Sequence, residues 1–283
     1  MIRILLSGAS GRLCSTIGRL AADRDDIDIL GGIDLSVGGV AALSGMVTSI
    51  LVAAEKGDVI SILAGIGVGA LCGLFTGTII SRVGLPDVIV SMGTLQIARG
   101  AALLVTRGQP VFGLAKSFQV IGGGRIGGKF PVAGLIWIIL TIAIFLIMKY
   151  TVFGRSMYAI GGNREAANLS GIKTQRNYCI TYVICGGLAG FAGILTASWL
   201  KTGQPTACDG YELDAIAASV IGGTAMTGGI GNVIGTFGGV FLLQIITNIF
   251  NLVGLSSFYQ QIAKGVIIIG ALLLNKLVTV RSK

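Results

Sequence analysis

Nine polar or charged residues stand inside or at the edge of otherwise apolar stretches: Asp34, Gln96, Arg99, Glu212, Asp214, Gln244, Asn248, Asn251 and Lys264. A lone ionisable group in hydrocarbon is costly, so such groups face a cavity or pair with one another. Asp34 opens an apolar stretch beside Gly31, Gly32 and Gly38, which suggests a broken helix whose freed backbone is covered by protein. Glu212 and Asp214 open a short apolar segment, where carboxylates can either face a polar solute or simply stabilise a helix N-terminus. Asn248 and Asn251 lie three residues apart on one helix face. Their amides suit a polyhydroxylated solute, or equally a hydrogen bond to a neighbouring helix. Acid–base and metal chemistry gain nothing from this set. No His occurs in the chain, which removes imidazole catalysis and His-based metal sites. No GxxxxGK[ST] loop is present to cradle a nucleotide in that way.

The elements that must position these residues are set by composition. Of 283 residues, 53% are hydrophobic and 12% charged, with a mean hydropathy of +0.87. A soluble domain of this length carries about 25% charged residues; too few remain here to cover a water-facing surface. The apolar residues fall in blocks suited to bilayer-spanning helices: Val37–Ala54, Val59–Ile80, Val88–Thr106, Val132–Met148, Tyr178–Trp199, Val233–Phe250 and Ile262–Leu274, with Glu212–Ile221 as a short eighth segment. Arg107–Pro131 is expected to be a long polar loop and Thr151–Asn177 a hydrophilic connector. The fold class expected is an all-α integral membrane protein, a polytopic bundle of about eight transmembrane segments with interrupted helices. Glycine, at 46 residues without a fixed period, fits close helix approach and helices broken around a cavity.

The formal charge of +9 does not point to nucleic acid, because the 21 Lys and Arg occur as short clusters between apolar blocks with no aromatic interleaving. Placing Thr151–Asn177 inside puts Arg82, Lys149, Arg155, Arg164, Lys173, Arg176, Lys276, Arg281 and Lys283 on the cytoplasmic side. That leaves Lys56, Arg107, Lys116, Arg125, Lys129 and Lys201 outside, a mild positive-inside excess. The five cysteines form no CxxC pair, and Cys72, Cys179 and Cys185 fall in apolar blocks as small packing residues.

Three stretches carry a resemblance: Gly32–Gly38 (GIDLSVG), Phe153–Ile172 (FGRSMYAIGGNREAANLSGI), and Gln204 to Gln260, through GYELDAIAASVIGGTAMTGGIGNVIGT and NLVGLSSFYQ. In this order they resemble the permease subunits of ABC importers for ribose and related simple sugars, over roughly residues 31–276. The resemblance implies a multi-pass protein of the bacterial inner membrane that moves a monosaccharide, with no cofactor of its own. ATP and Mg would sit on a separate cytoplasmic ATPase subunit, and a periplasmic or lipoprotein sugar-binding protein would deliver the solute. A second permease copy, the same or different, and membrane lipid would complete its partners. Residues 34–283 form the permease domain in this reading.

Within it, residues 154–176 match the family's coupling helix, with Gly154, Arg155, Asn163, Glu165, Ala166, Ala167 and Gly171 as the ATPase-coupling residues. Asn163 also reads as an N-cap and Gly171 as a C-cap on local chemistry alone. Asp34, Ser36, Gln96, Glu212, Asp214, Asn248, Asn251 and Gln260 are the translocation-path candidates.

The first 33 residues depart from that pattern. A short apolar run, MIRILLSG, leads into the tight GASGR turn at Gly8–Arg12, an amphipathic stretch Cys14–Arg24 and a second apolar run, Ile27–Ile33. This βα-like opening resembles the start of dihydrodipicolinate reductase and takes the place of the two spans that precede GIDLSVG in the permease family. A fusion at Gly31–Asp34 is the expectation, without dinucleotide binding, because the rest of such a sheet has no counterpart in the chain. The alternatives to a transport subunit are a fused or truncated relative without transport activity and a dinucleotide-binding reductase fragment with a membrane tail.

Overall fold

A computed structural model describes residues 32–225 and 228–281, so the βα-like expectation for the first 33 residues lies outside the described residues except at its last two positions. From Val37 onward about three quarters of the described chain is helix, with very little strand. The elements are α1 (Val37–Ala53), α2 (Asp58–Thr78, continued by a π-helical turn, Ile79–Val83), α3 (Asp87–Val105), α4 (Lys116–Gly123), a small antiparallel hairpin of β1 (Arg125–Ile126) and β2 (Phe130–Pro131), α5 (Val132–Tyr150), α6 (Val152–Gly162), α7 (Arg164–Leu169), α8 (Thr174–Leu200), α9 (Tyr211–Ile221), α10 (Val233–Leu252) and α11 (Ser257–Arg281).

Among the described residues five stretches, Asp58–Val83, α3, α5, α8 and α10, are long and apolar enough to cross a membrane. α1 is apolar but has 17 residues, at the lower limit for a span.

Glycine explains how apolar helices with little to gain from one another come together. Gly65, Gly69, Gly73 and Gly77 recur every fourth residue on α2 and are buried. A methyl group on Gly69 would overlap Gly186 O of α8, and one on Gly73 would overlap Tyr182 O. Further along the same glycine face of α8, a methyl on Gly193 would overlap Ala41 O, and one on Gly45 would stand 2.9 Å from Gly193 O. One face of α8 therefore packs against both α1 and α2 at backbone-to-backbone distance, which gains dispersion contacts that lipid tails cannot match. Small buried hydroxyls lock the seams: Thr48 Oγ1 donates to Ser61 O (3.2 Å), and the hydroxyls of Thr76 and Thr94 lie 2.8 Å apart.

The Arg107–Pro131 stretch differs from the plain loop expected. It holds α4 and the hairpin, because Phe118 is wholly buried with Val52, Leu114 and Ile194, while Ser198 Oγ donates to Phe118 O (2.7 Å) and accepts from Gly122 N–H (2.8 Å).

The short eighth segment is preceded by irregular chain. α9 has 11 residues and is about 16 Å long, roughly half the hydrocarbon thickness. The preceding stretch starts beside the α3–α4 loop, where Gly203 and Val111 exchange backbone hydrogen bonds (2.8 and 2.9 Å). It ends against the first turn of α1, where Cys208 O lies 2.6 Å from a methyl built on Gly38. Irregular backbone within a bundle needs partners for its carbonyls. Arg99, reaching from the middle of α3, supplies them by donating to Ala207 O (2.6 Å) and Pro205 O (3.3 Å). Its contact with the exposed Asp209 carboxylate is the longer one, at 3.5 Å. Arg99→Met is expected to cost about 2 kcal/mol by leaving these carbonyls unpaired. Arg99→Lys, with a single donor head, should recover only part of that. Protease cleavage within residues 201–210 of the purified protein would read the difference; equal resistance in all three proteins would show that the carbonyls do not depend on Arg99.

Candidate functional site: a central cavity and an exposed connector helix

A cavity of about 830 Å³ opens between the start of α1 and helices α5, α8, α9 and α10. One stripe of α5 lines it, Trp137, Leu140, Thr141, Ile144 and Met148, at the spacing of one helix face. Opposite stand Cys185, Leu188 and Phe191 of α8, Ala215, Ile216 and Ser219 of α9, and Thr236, Phe237 and Val240 of α10. Trp137 and Phe237 stack with ring centroids 4.2 Å apart. Among the described lining residues Asp34 is the one carboxylate, and neither Lys nor Arg is present. Apolar and aromatic walls with a few separated hydroxyl and carboxylate groups suit a neutral, polyhydroxylated small molecule, and the volume is within the usual range for small-ligand sites.

The path candidates read from the sequence are dispersed. Asp34 lines the cavity, and its Oδ1 accepts from Ser36 N–H (2.8 Å) and Ser36 Oγ–H (2.6 Å), an Asx turn that leads into α1. Ser36 is buried behind it. Glu212 is also buried, and its Oε2 lies against Gly38 at the α9–α1 contact with no hydrogen-bond partner among the described residues. Asp214 is held by Lys264 Nζ at 2.7 Å, tying α9 to α11. Gln96 is exposed on α3, and Asn248 is exposed on α10. Asn251 Oδ1 accepts from Gln260 Nε2 (2.8 Å), which also donates to Leu255 O (3.2 Å), so these two residues clasp the α10–α11 turn. Sequence reasoning missed the Trp137–Phe237 pair, Thr141, Ser219 and Thr236. Each is ordinary within its own helix and gains meaning only from what faces it.

The connector folds as two short helices. Thr151 Oγ1 caps α6 by accepting from Gly154 N–H (3.2 Å). Gly154 is buried so tightly on the end of α5 that a methyl there would overlap Met148 O, while Arg155 is exposed. Asn163 Oδ1 accepts from Ala166 N–H (2.9 Å), capping α7, and Gly171, at φ +83°, takes the left-handed conformation just past it. Ala167 is turned inward, buried with Ile80, Val90, Ile160, Tyr178 and Tyr182. Glu165, Ala166 and Leu169 face outward, and Leu169 is 85% exposed.

A sequence-family model described as the branched-chain amino acid transport system / permease component matches residues 27–273. The chain is 39% identical over 247 residues to the ribose import permease protein of Escherichia coli K12, covering 86% of this chain and 77% of that protein. It is 38% identical over 261 residues to the ribose import permease protein of Bacillus subtilis, covering 92% and 81%. With the L-arabinose ABC transporter permease protein of Azospirillum brasilense it shares 33% identity over 263 residues, covering 92% and 76%. No solved structure matches.

Proposed function

Because this chain belongs to the branched-chain amino acid transport system / permease component family, we propose that it is the membrane-spanning subunit of an ATP-driven importer for ribose or a closely related monosaccharide. The observation that carries the reading is the similarity, over most of the chain, to relatives named as ribose and arabinose permeases. The cavity supports it, because aromatic rings suit the apolar face of a sugar ring, while the Asp34 carboxylate and the Thr141 and Ser219 hydroxyls, which donate to Trp137 O and Ala215 O in their own helices, can accept from its hydroxyls.

In this reading the chain works in the bacterial inner membrane and has no catalytic site or cofactor of its own. ATP and Mg belong to a cytoplasmic ATPase that docks on α7 through Glu165, Ala166 and Leu169. A sugar-binding protein delivers the solute from the other side, and a second permease copy completes the complex. The exposed amides Gln244 and Asn248, four residues apart on one face of α10, favour a protein neighbour over lipid there. Neither the reductase-fragment reading nor the reading without transport is favoured by these relatives.

Cells lacking their own ribose uptake, given this chain with its ATPase and binding protein, are expected to accumulate labelled ribose above the vector control, with excess arabinose reporting how broad the selectivity is. Uptake at the control level, with all three proteins present and associated, would end the transport assignment.

A further inference from the structure

The connector meets the cavity along a seam with almost no side chain in it. Gly161, in the last turn of α6, packs on the Gly228–Gly229 backbone so closely that a methyl group there would overlap Gly229 N. Gly229 has a φ of +74°, a conformation that glycine adopts at little cost. One turn earlier, the Tyr158 hydroxyl donates to Gly231 O at 3.0 Å. The next residue, Asn232, opens α10 by accepting from Ile234 N–H (3.0 Å) on its Oδ1. α10 is in turn fixed to α9, since a methyl on Gly239 would overlap Ala218 O and one on Gly235 would overlap Gly222 O. Tyr158, Gly229, Gly231 and Asn232 all line the cavity, as do Ser219 of α9 and Thr236 of α10.

Backbone held against backbone leaves no rotamer to absorb a displacement, so a shift of α6 must either open this seam or move α9 and α10 with it. We propose that Tyr158 and Gly161 are positioning residues for transport, carrying movement of the α6–α7 connector into α9 and α10 and so reshaping the cavity wall. The inference rests on the proposed docking of the ATPase on α7. The tight contact and the Tyr158 hydrogen bond both fall on carbonyl and amide groups next to the cavity, while Ile160 and Ala167 anchor the connector separately in the core.

The test compares three variants in the complete complex, reconstituted in liposomes with its ATPase and binding protein and supplied with labelled ribose. Gly161→Ala forces the seam apart, Tyr158→Phe removes one oxygen, and Gly162→Ala adds the same methyl one residue on, where it meets nothing within 4 Å. Ribose moved per ATP hydrolysed is expected to fall about five- to tenfold in the first two, with ATPase co-purification unchanged, while Gly162→Ala matches the parent. Equal coupling ratios in all three variants would overturn the proposal. Should Gly161→Ala lower the amount of protein in the membrane, Tyr158→Phe decides alone. Failure of the docking premise looks different, because Glu165→Arg would then leave the ATPase bound.

Discussion

Replacing Gly69 by alanine is expected to destabilise the bundle by about 2 kcal/mol, whereas the same change at Gly67 leaves it as stable as the parent or slightly more so. Alanine is the better helix former by about 1 kcal/mol, so local propensity favours both substitutions equally. What separates them is the partner surface. A methyl on Gly69 would overlap Gly186 O and stand 3.0 Å from Gly190 Cα, all backbone of α8 that cannot rotate away, while a methyl on Gly67 meets nothing within 4 Å. Forcing such a seam costs about 1–3 kcal/mol for each overpacked site. Gly186→Ala acts on the same seam, since its methyl would overlap Gly69 O, so the double variant should lose less than the sum of the two. Unfolding of the purified protein in mixed micelles reads both effects. Equal stability of Gly67→Ala and Gly69→Ala would mean that the α2–α8 seam does not hold the bundle together.

Ala167→Arg is expected to remove the protein from the membrane, and Glu165→Arg or Leu169→Asp to leave it there without its ATPase. The three positions share one short helix but face opposite ways. Ala167 is 5% exposed, packed against Ile80, Ile160 and Tyr178. A guanidinium there would be an unpaired buried charge in a space made for a methyl group, a cost of about 3 kcal/mol or more. Leu169, by contrast, is 85% exposed and Glu165 also lies at the surface, so changing either should cost the fold about 0.5 kcal/mol or less. Under the proposed docking role, co-purification of the ATPase falls about tenfold or more in both surface variants, as when a central contact is replaced by a like or repelling group. Membrane levels of the chain measured by immunoblot, read beside the ATPase recovered with it, separate the two effects. An ATPase that co-purifies fully with both surface variants would place the docking surface elsewhere.

The helices were legible because their signal is local. Val233–Phe250 was expected and Val233–Leu252 is found; Val88–Thr106 was expected and Asp87–Val105 is found. Runs of apolar residues bounded by Gly, Pro or charge suffice for that. The caps of α7 at Asn163 and Gly171 were legible for the same reason, since a cap acts within a few residues of itself. The inner structure of Arg107–Pro131 was not, because α4 is held by Phe118 and by Ser198, 80 residues away along the chain. Arg99 could be singled out as an ionisable group in an apolar stretch, but its acceptors, Pro205 O and Ala207 O, are backbone atoms over 100 residues away and leave no mark on residue type.

The sequence by itself determined that this is a multi-pass helical membrane protein, where most of its spans run, and which short connector stands apart from them. These follow from hydropathy and capping, which depend on residues near one another in the chain. Tertiary structure alone decided the rest: that Asp214 is neutralised by Lys264 and Asn251 is clasped by Gln260, that Asp34 faces a cavity walled by Trp137 and Phe237, and which side of α7 is free. The physical reason is that a polar group in an apolar helix must find a partner, but hydropathy records only that the need exists. Which group answers it is set by the packing of helices distant in sequence, and here that packing is set by where glycine lets their backbones touch.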